Sequence, residues 1–233
     1  MKNLFILLLV CASCTLYSAA DALGAEIKIA TSNVAPFASL DNGELKGIYI
    51  DLFRHLEKES GLKFKIDLYP HARLVLALEE ESPDLLIIFK PICNKYQEYE
   101  VQGKALHSLR PSIYLKKSVD QSRQNFRIGK LTGTCTELIK NYVKKEFAFD
   151  VSTMDQAIEM LKSDRIDGIC GLSLVVNHSI SKNKAFKEKL VVYKTVPEGN
   201  KYDAVLCRKK NLSPRTKRKL EDGLKKIKYP DIH

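Results

Sequence analysis

Several things are scarce in this chain, and each scarcity removes a class of protein. After Leu4 to Val10 no apolar run approaches the roughly 20 residues a helix needs to cross a bilayer, so no permanent transmembrane helix is expected. The later cysteines, Cys93, Cys135, Cys170 and Cys207, show no CxxC spacing and no histidine pair nearby, which argues against a zinc site. No low-complexity tract points to disorder, and no self-similarity at solenoid periods points to a repeat protein. No cysteine is set with His and Asp or Asn as a nucleophile requires, so no catalytic residue, metal or cofactor is assigned.

What remains is an ordinary globular composition, 45% hydrophobic and 28% charged, behind an address label. Lys2, the apolar Leu4 to Val10 and the small residues from Cys11 to Ala25 read as a secretory signal peptide, residues 1–25. Cleavage after Ala20 or Ala25 leaves a small residue at the cut, and Ala25 is preferred because Glu26 then starts the mature chain just before a strand. A rival reading makes Cys14 a lipid attachment site, but Cys11 stands where an aliphatic residue is expected, so a free periplasmic protein is the better expectation. The net charge of +10 thickens from Arg208 to Lys228 and is read as a solvated helix face, since an exported chain rarely meets nucleic acid. In an oxidising compartment the four later cysteines allow three pairings, which the sequence leaves open.

Along the mature chain, elements alternate as a helix-covered parallel sheet requires. Strands are expected at Ile27 to Thr31, Phe64 to Leu68 and Leu85 to Phe89, with helices at Ile48 to Lys58, closed by Gly61, and through Leu74 to Leu78. The pattern then restarts with strands at Ile113 to Leu115, Phe126 to Lys130 and Ile166 to Cys170. A helix is expected over Glu137 to Phe147, entered through the small residues Leu131 to Thr136. Thr134 with Glu137 and Thr153 with Gln156 have capping-box spacing. Leu190 to Tyr193 and Ala204 to Cys207 read as strands, and Ser213-Pro214 opens a last helix. This predicts an α/β protein of two lobes, 26–110 with 200–233 and 111–199, whose strand-end loops face each other across a cleft.

Pro36-Phe37, Gly47-Ile48-Tyr49-Ile50-Asp51-Leu52, Asp84 before an apolar strand, Ile128-Gly129 with Gly133-Thr134, and Asp164-Arg165-Ile166-Asp167-Gly168 occur in this order. Together they resemble the bacterial extracellular solute-binding proteins of family 3, which serve amino-acid ABC transporters. The resemblance runs from Ile27 to about Ile227 and implies a monomeric two-lobed periplasmic-binding-protein-like fold, each lobe a mainly parallel sheet flanked by helices. It implies capture of a small solute by hinge closure and delivery to a membrane permease. In such proteins an arginine clamps the carboxylate of an amino acid and an acidic side chain takes its ammonium, because both charges must be re-paired on leaving water. Here Lys95 or Tyr96 stands at the arginine's place and Leu172 at the acid's, which points to some other polar or anionic solute.

Six residues are candidates for the ligand: Phe37 for stacking, His71 and Arg73 at the head of a helix, Lys90 after an apolar strand, and Gly133 and Thr134 at a helix start where free amides favour an anion. Each has a plainer role as core aromatic, surface cation or helix cap. Glu198 and Tyr202 lie in the returning connection, where hinge and pocket are both open, and Asp51 is read as structural. Cys135 and Cys170 follow strands that are neighbours in the order such sheets take, and are a candidate disulfide. Competing readings are an exported dehydratase-like enzyme using His71 or Glu198, and a stand-alone ligand sensor.

Overall fold

The computed structural model describes residues 26–227 except 124, 182–185, 187, 198 and 199. Residues 1–25, read above as a signal peptide, and Glu198 lie outside the described residues. The first sheet takes the order β4-β1-β5-β12-β6, where β1 is Ile27–Ser32, β4 Phe64–Tyr69, β5 Leu85–Phe89, β6 Tyr99–Leu109 and β12 Tyr202–Lys209. β1 pairs in parallel with β4 and β5, and β12 runs antiparallel to both β5 and β6. The second sheet takes the order β11-β7-β10-β8-β9, from β7 (Pro111–Lys116), β8 (Ile128–Leu131), β9 (Ala148–Val151), β10 (Gly168–Leu172) and β11 (Leu190–Thr195). Here β8 pairs in parallel with β9 and β10, while β7 is antiparallel to β10 and β11. Each sheet is therefore parallel where helices connect its strands and antiparallel towards the crossovers. β2 (Ser39–Asp41) and β3 (Glu44–Lys46) form a small hairpin in place of a simple turn.

Two helices of the first half follow the sequence closely. α1 (Ile48–Ser60) buries Leu52, Phe53 and Leu56 and stops at Gly61, whose φ of 64° is the left-handed cap only glycine takes cheaply. α2 (His71–Glu80) buries Leu74, Ala77 and Leu78. The short α3 (Lys90–Lys95) was not foreseen, because Pro91 and six residues leave no helical period to read. In the second half, α4 (Thr136–Tyr142) ends at Val143, whose extended backbone hands over to a 3-10 turn at Lys145–Phe147. The single helix expected from Glu137 to Phe147 is thus two pieces, because the buried Val143 points into the core. α5 (Met154–Lys162) is capped by Thr153, whose hydroxyl accepts from Gln156 N at 3.1 Å while Gln156 Oε1 accepts from Ser152 N at 3.0 Å. α6 is Ser173–Ser181.

The chain returns to the first sheet through β12 and ends in α7 (Pro214–Lys226), capped by Ser213. α7 packs closely on α1 at Gly223, where an added Cβ would lie 2.9 Å from Leu56 Cδ1 and 3.2 Å from Ser60 Cβ, so a side chain there would force its neighbours to shift. Two disulfides staple the halves separately. Cys93–Cys207 ties α3 to β12, and Cys135–Cys170 ties the start of α4 to β10, the pairing the sequence suggested. In the second half the buried Asp167 takes three hydrogen bonds from Arg127: N at 2.9 Å, Nε at 3.2 Å and Nη2 at 2.8 Å. Burial would push the Asp167 carboxyl up, but the Arg127 bonds and charge outweigh it and hold it below the usual carboxylate range.

Candidate functional site

The first turn of α1 would leave unpaired amides, and the loop after β1 supplies their acceptors. Ile48 N donates to Pro36 O at 3.0 Å and Tyr49 N to Phe37 O at 2.8 Å. Gly47 makes that approach possible: at φ 125° an added Cβ would sit 2.5 Å from Phe37 O. The motif Gly47-Ile48-Tyr49 therefore sets Phe37 and Tyr49 beside each other, their rings 5.0 Å apart and nearly parallel. His107 of β6 extends the stack, 5.4 Å from Phe37, and Tyr49 Oη shares a 2.7 Å hydrogen bond with His107 Nε2. Burial lowers the His107 pKa to about 4 and pushes the Tyr49 phenol up.

Phe37 and Tyr49 form part of the wall of a cavity of about 310 Å³ at the carboxyl ends of the strands. The first half adds Phe89 and Tyr202, with rings 5.3 Å apart, and His71, whose ring meets Phe89 edge-on at 6.5 Å. His71 Nδ1 lies 3.0 Å from Ser32 Oγ, and burial lowers the pKa of the imidazole. The second half adds Leu131, Met154, Leu172 and Val175 and the loop Gly133 to Thr136. The halves touch here, since a Cβ on Gly133 would lie 3.7 Å from Ala72 Cα and 3.9 Å from His71 Cδ2.

Of the six sequence candidates, Phe37, His71, Gly133 and Thr134 line this cavity, and Tyr202 joins them. Arg73 and Lys90 do not: both are exposed and neither is part of the lining. α2 turns His71, Leu74 and Val75 towards the cavity, and at 100° per residue Arg73 falls on the outer side. Lys90 opens α3 at the surface, and Ile92 of the same helix reaches the cavity instead. Among the described residues no lysine or arginine lines the cavity, and its single carboxylate, Glu137, is exposed at the rim in a 2.9 Å ion pair with Lys140. The two cationic side chains that the sequence offered for the ligand, Arg73 and Lys90, thus lie away from this cavity. Thr134 does not cap α4 either. Its hydroxyl donates to Leu131 O at 2.8 Å, and Cys135 holds the cap position with a left-handed φ of 58°. Sequence reasoning did not name Tyr49, Phe89, Leu131 or Met154 as ligand contacts; the signal for Tyr49 was its place two residues after Gly47.

The sequence matches no protein-family model and no curated protein. Solved structures do match. The chain is similar to the arginine-, lysine-, histidine-binding protein ArtJ from Geobacillus stearothermophilus, with TM-score 0.66 and 20% identity over 86% of this chain and 88% of that one. The fold is that of the two-lobed periplasmic binding proteins. A truncated, arginine-bound ArgBP from T. maritima is similar with TM-score 0.66 and 16% identity, covering 87% of this chain and 96% of that one. A histidine kinase sensor domain with similarity to periplasmic binding proteins gives TM-score 0.68 at 13% identity, over 86% of this chain and 89% of that one. In this binding-protein fold the cavity lies where both halves contribute strand-end loops. Among the described residues no helix is long and apolar enough to cross a membrane, and no cluster of His, Cys, Asp and Glu is arranged to hold a metal ion.

Proposed function

We propose that this protein is an exported solute-binding protein that captures a small molecule between its lobes and presents the closed form to an ABC permease. The lobes are 26–110 with 200–233, and 111–199. The reading is carried by one observation: a single cavity is walled by both sheets, with Gly133 of one half seated against Ala72 and His71 of the other. A ligand filling that space binds the closed arrangement only, so its binding energy becomes a shape signal. Phe37, His71, Gly133 and Thr134 are the proposed contacts, with Tyr49 and Tyr202 beside them. The likeness to binding proteins supports this reading over catalysis.

Native mass spectrometry of freshly purified protein, followed by thermal-shift screening of amino acids, organic acids and neutral metabolites, tests the proposal. A native-state ligand raises the melting temperature by mass action. Phe37→Ala and His71→Ala should then weaken that ligand at least about tenfold, and Arg73→Ala and Lys90→Ala should leave it unchanged. Affinity insensitive to the first pair would remove this cavity as the site. The likeness to a kinase sensor domain favours one second reading, a ligand sensor that reports to a receptor. Pull-down of a permease by the liganded protein decides for transport, and capture of a receptor kinase decides for sensing.

A further inference from the structure

The cavity's own chemistry narrows what it holds. The first half lines it with rings set among aliphatic side chains: Phe37 and Tyr49, which pack with His107, and Phe89, which meets Tyr202 and the edge of His71. The facing wall is aliphatic, with Leu131, Met154, Leu172 and Val175. The polar side chains are few: three are already engaged, and the Thr136 and Tyr202 hydroxyls with His71 Nε2 add neutral hydrogen-bonding capacity. Ser32 Oγ is hydrogen-bonded to His71 Nδ1 at 3.0 Å, Tyr49 Oη to His107 Nε2 at 2.7 Å, and Thr134 Oγ1 to Leu131 O at 2.8 Å. A carboxylate or ammonium brought in from water must have its hydration replaced by an opposite charge or several donors or acceptors, and a wall with no opposite charge and a few neutral groups leaves most of that cost unmet. Among the described residues no lysine or arginine lines the space, and Glu137 is at the rim with Lys140. α4, with seven residues, is too short to stand in for a cation. Burial keeps the His71 and His107 rings in their neutral forms near pH 7, so they supply no charge either.

Resting on the proposed binding role, we infer that the ligand is an uncharged ring compound, aromatic or heteroaromatic, carrying one or two hydrogen-bonding groups and no free carboxylate or ammonium. The ring lies against the Phe37, Tyr49, Phe89 and Tyr202 faces, where offset or edge contacts between π-systems add to the burial of apolar surface. Its polar group meets His71, whose second nitrogen Nε2 donates or accepts according to the tautomer that Ser32 selects. A cavity of about 310 Å³ is at the small end of ligand pockets and suits one or two fused rings.

Ring-matched series separate charge from shape. We would measure dissociation constants by calorimetry, and melting temperatures, for indole, indole-3-acetate and tryptophan; for p-cresol, 4-hydroxyphenylacetate and tyrosine; and for arginine. The neutral member of at least one series should bind at least about tenfold tighter than its carboxylate and zwitterion. Tyr202→Ala, at a partly buried ring, should weaken it by a similar factor while circular dichroism and the melting temperature of the unliganded protein stay close to the parent. A zwitterion or anion that binds as tightly as its neutral partner overturns the assignment of ligand class and leaves the binding role standing. No binding in any series also overturns the class. Binding of any of these compounds without a change in molecular shape by solution X-ray scattering overturns the closure role itself.

Discussion

Where the first half of the molecule meets the cavity it presents flat rings, held from behind, among aliphatic side chains, and where the second half meets it, it presents no ring, only aliphatic side chains and a loop of small residues. The rings are fixed by main-chain bonds from α1 to Pro36 and Phe37 and by the Tyr49–His107 hydrogen bond. The facing loop is fixed differently. Cys135 takes a left-handed backbone and is bonded covalently to Cys170 in β10. The contrast assigns a pre-formed shelf to one lobe and a stapled, closely fitting cover to the other, a division suited to ligand docking first on the rings and being covered second.

The sharpest way to break that contrast is to remove the two staples in turn. Cys93–Cys207 closes a sequence separation of 114 residues and Cys135–Cys170 one of 35, and loop-closure entropy grows with that span. Replacing the first pair by alanine should cost about 5 kcal/mol and the second about 4 kcal/mol in urea-melt stability. Ligand affinity should respond in the opposite order. Loss of Cys135–Cys170, at the cavity wall, should weaken binding, and loss of Cys93–Cys207 should not. Equal effects on affinity would erase the distinction between shelf and cover.

Within the second lobe, Arg127→Ala strands the buried Asp167 carboxylate and should cost about 3 kcal/mol by chemical denaturation. Because the Asp167 pKa is depressed in the folded protein, the stabilisation from this pair is present above the ordinary aspartate value, about 3.9, and is lost as the pH falls through the folded one. The first lobe titrates at higher pH. The His107 pKa is lowered to about 4 by burial, so the unfolded chain takes up its proton first. The contribution of His107 is complete above pH about 6.5 and is lost as the pH falls towards 4. His107→Gln, which keeps a partner for Tyr49, should flatten the stability profile in that window and leave the steeper acid limb of Asp167. The smallest expected effect is Thr153→Ala, about 1 kcal/mol for one helix cap remote from the ring wall, with ligand affinity unchanged.

Much of this architecture could be read from residue order. Leu85 to Phe89 was legible because an apolar run of five between Asp84 and Lys90 has one economical use, a strand buried on both faces. α1 was legible from its period and Gly61. β6 was not, since Gly103, Lys104 and Ala105 interrupt its alternation and its pairing with β12 shifts register between Ala204 and Leu206. In the site, Phe37 and His71 stood out because both follow strands. Arg73 and Lys90 drew attention by charge, yet backbone direction at α2 and α3 turns both to solvent. Tyr49, Leu131 and Met154 look like core residues in the sequence because they serve as core and as wall at once.

The central claim is a cavity that closes over its guest, and the distance between the lobes measures it directly. All four cysteines of the described residues are paired in disulfides, so spin labels at Arg73→Cys in α2 and Lys140→Cys in α4, both exposed, give one clean interlobe distance. The account predicts a longer, broader distance distribution in protein stripped of small molecules, and a shorter, narrower one on adding the neutral ring compound that gives the largest thermal shift. An unchanged distribution in the presence of that compound would contradict it.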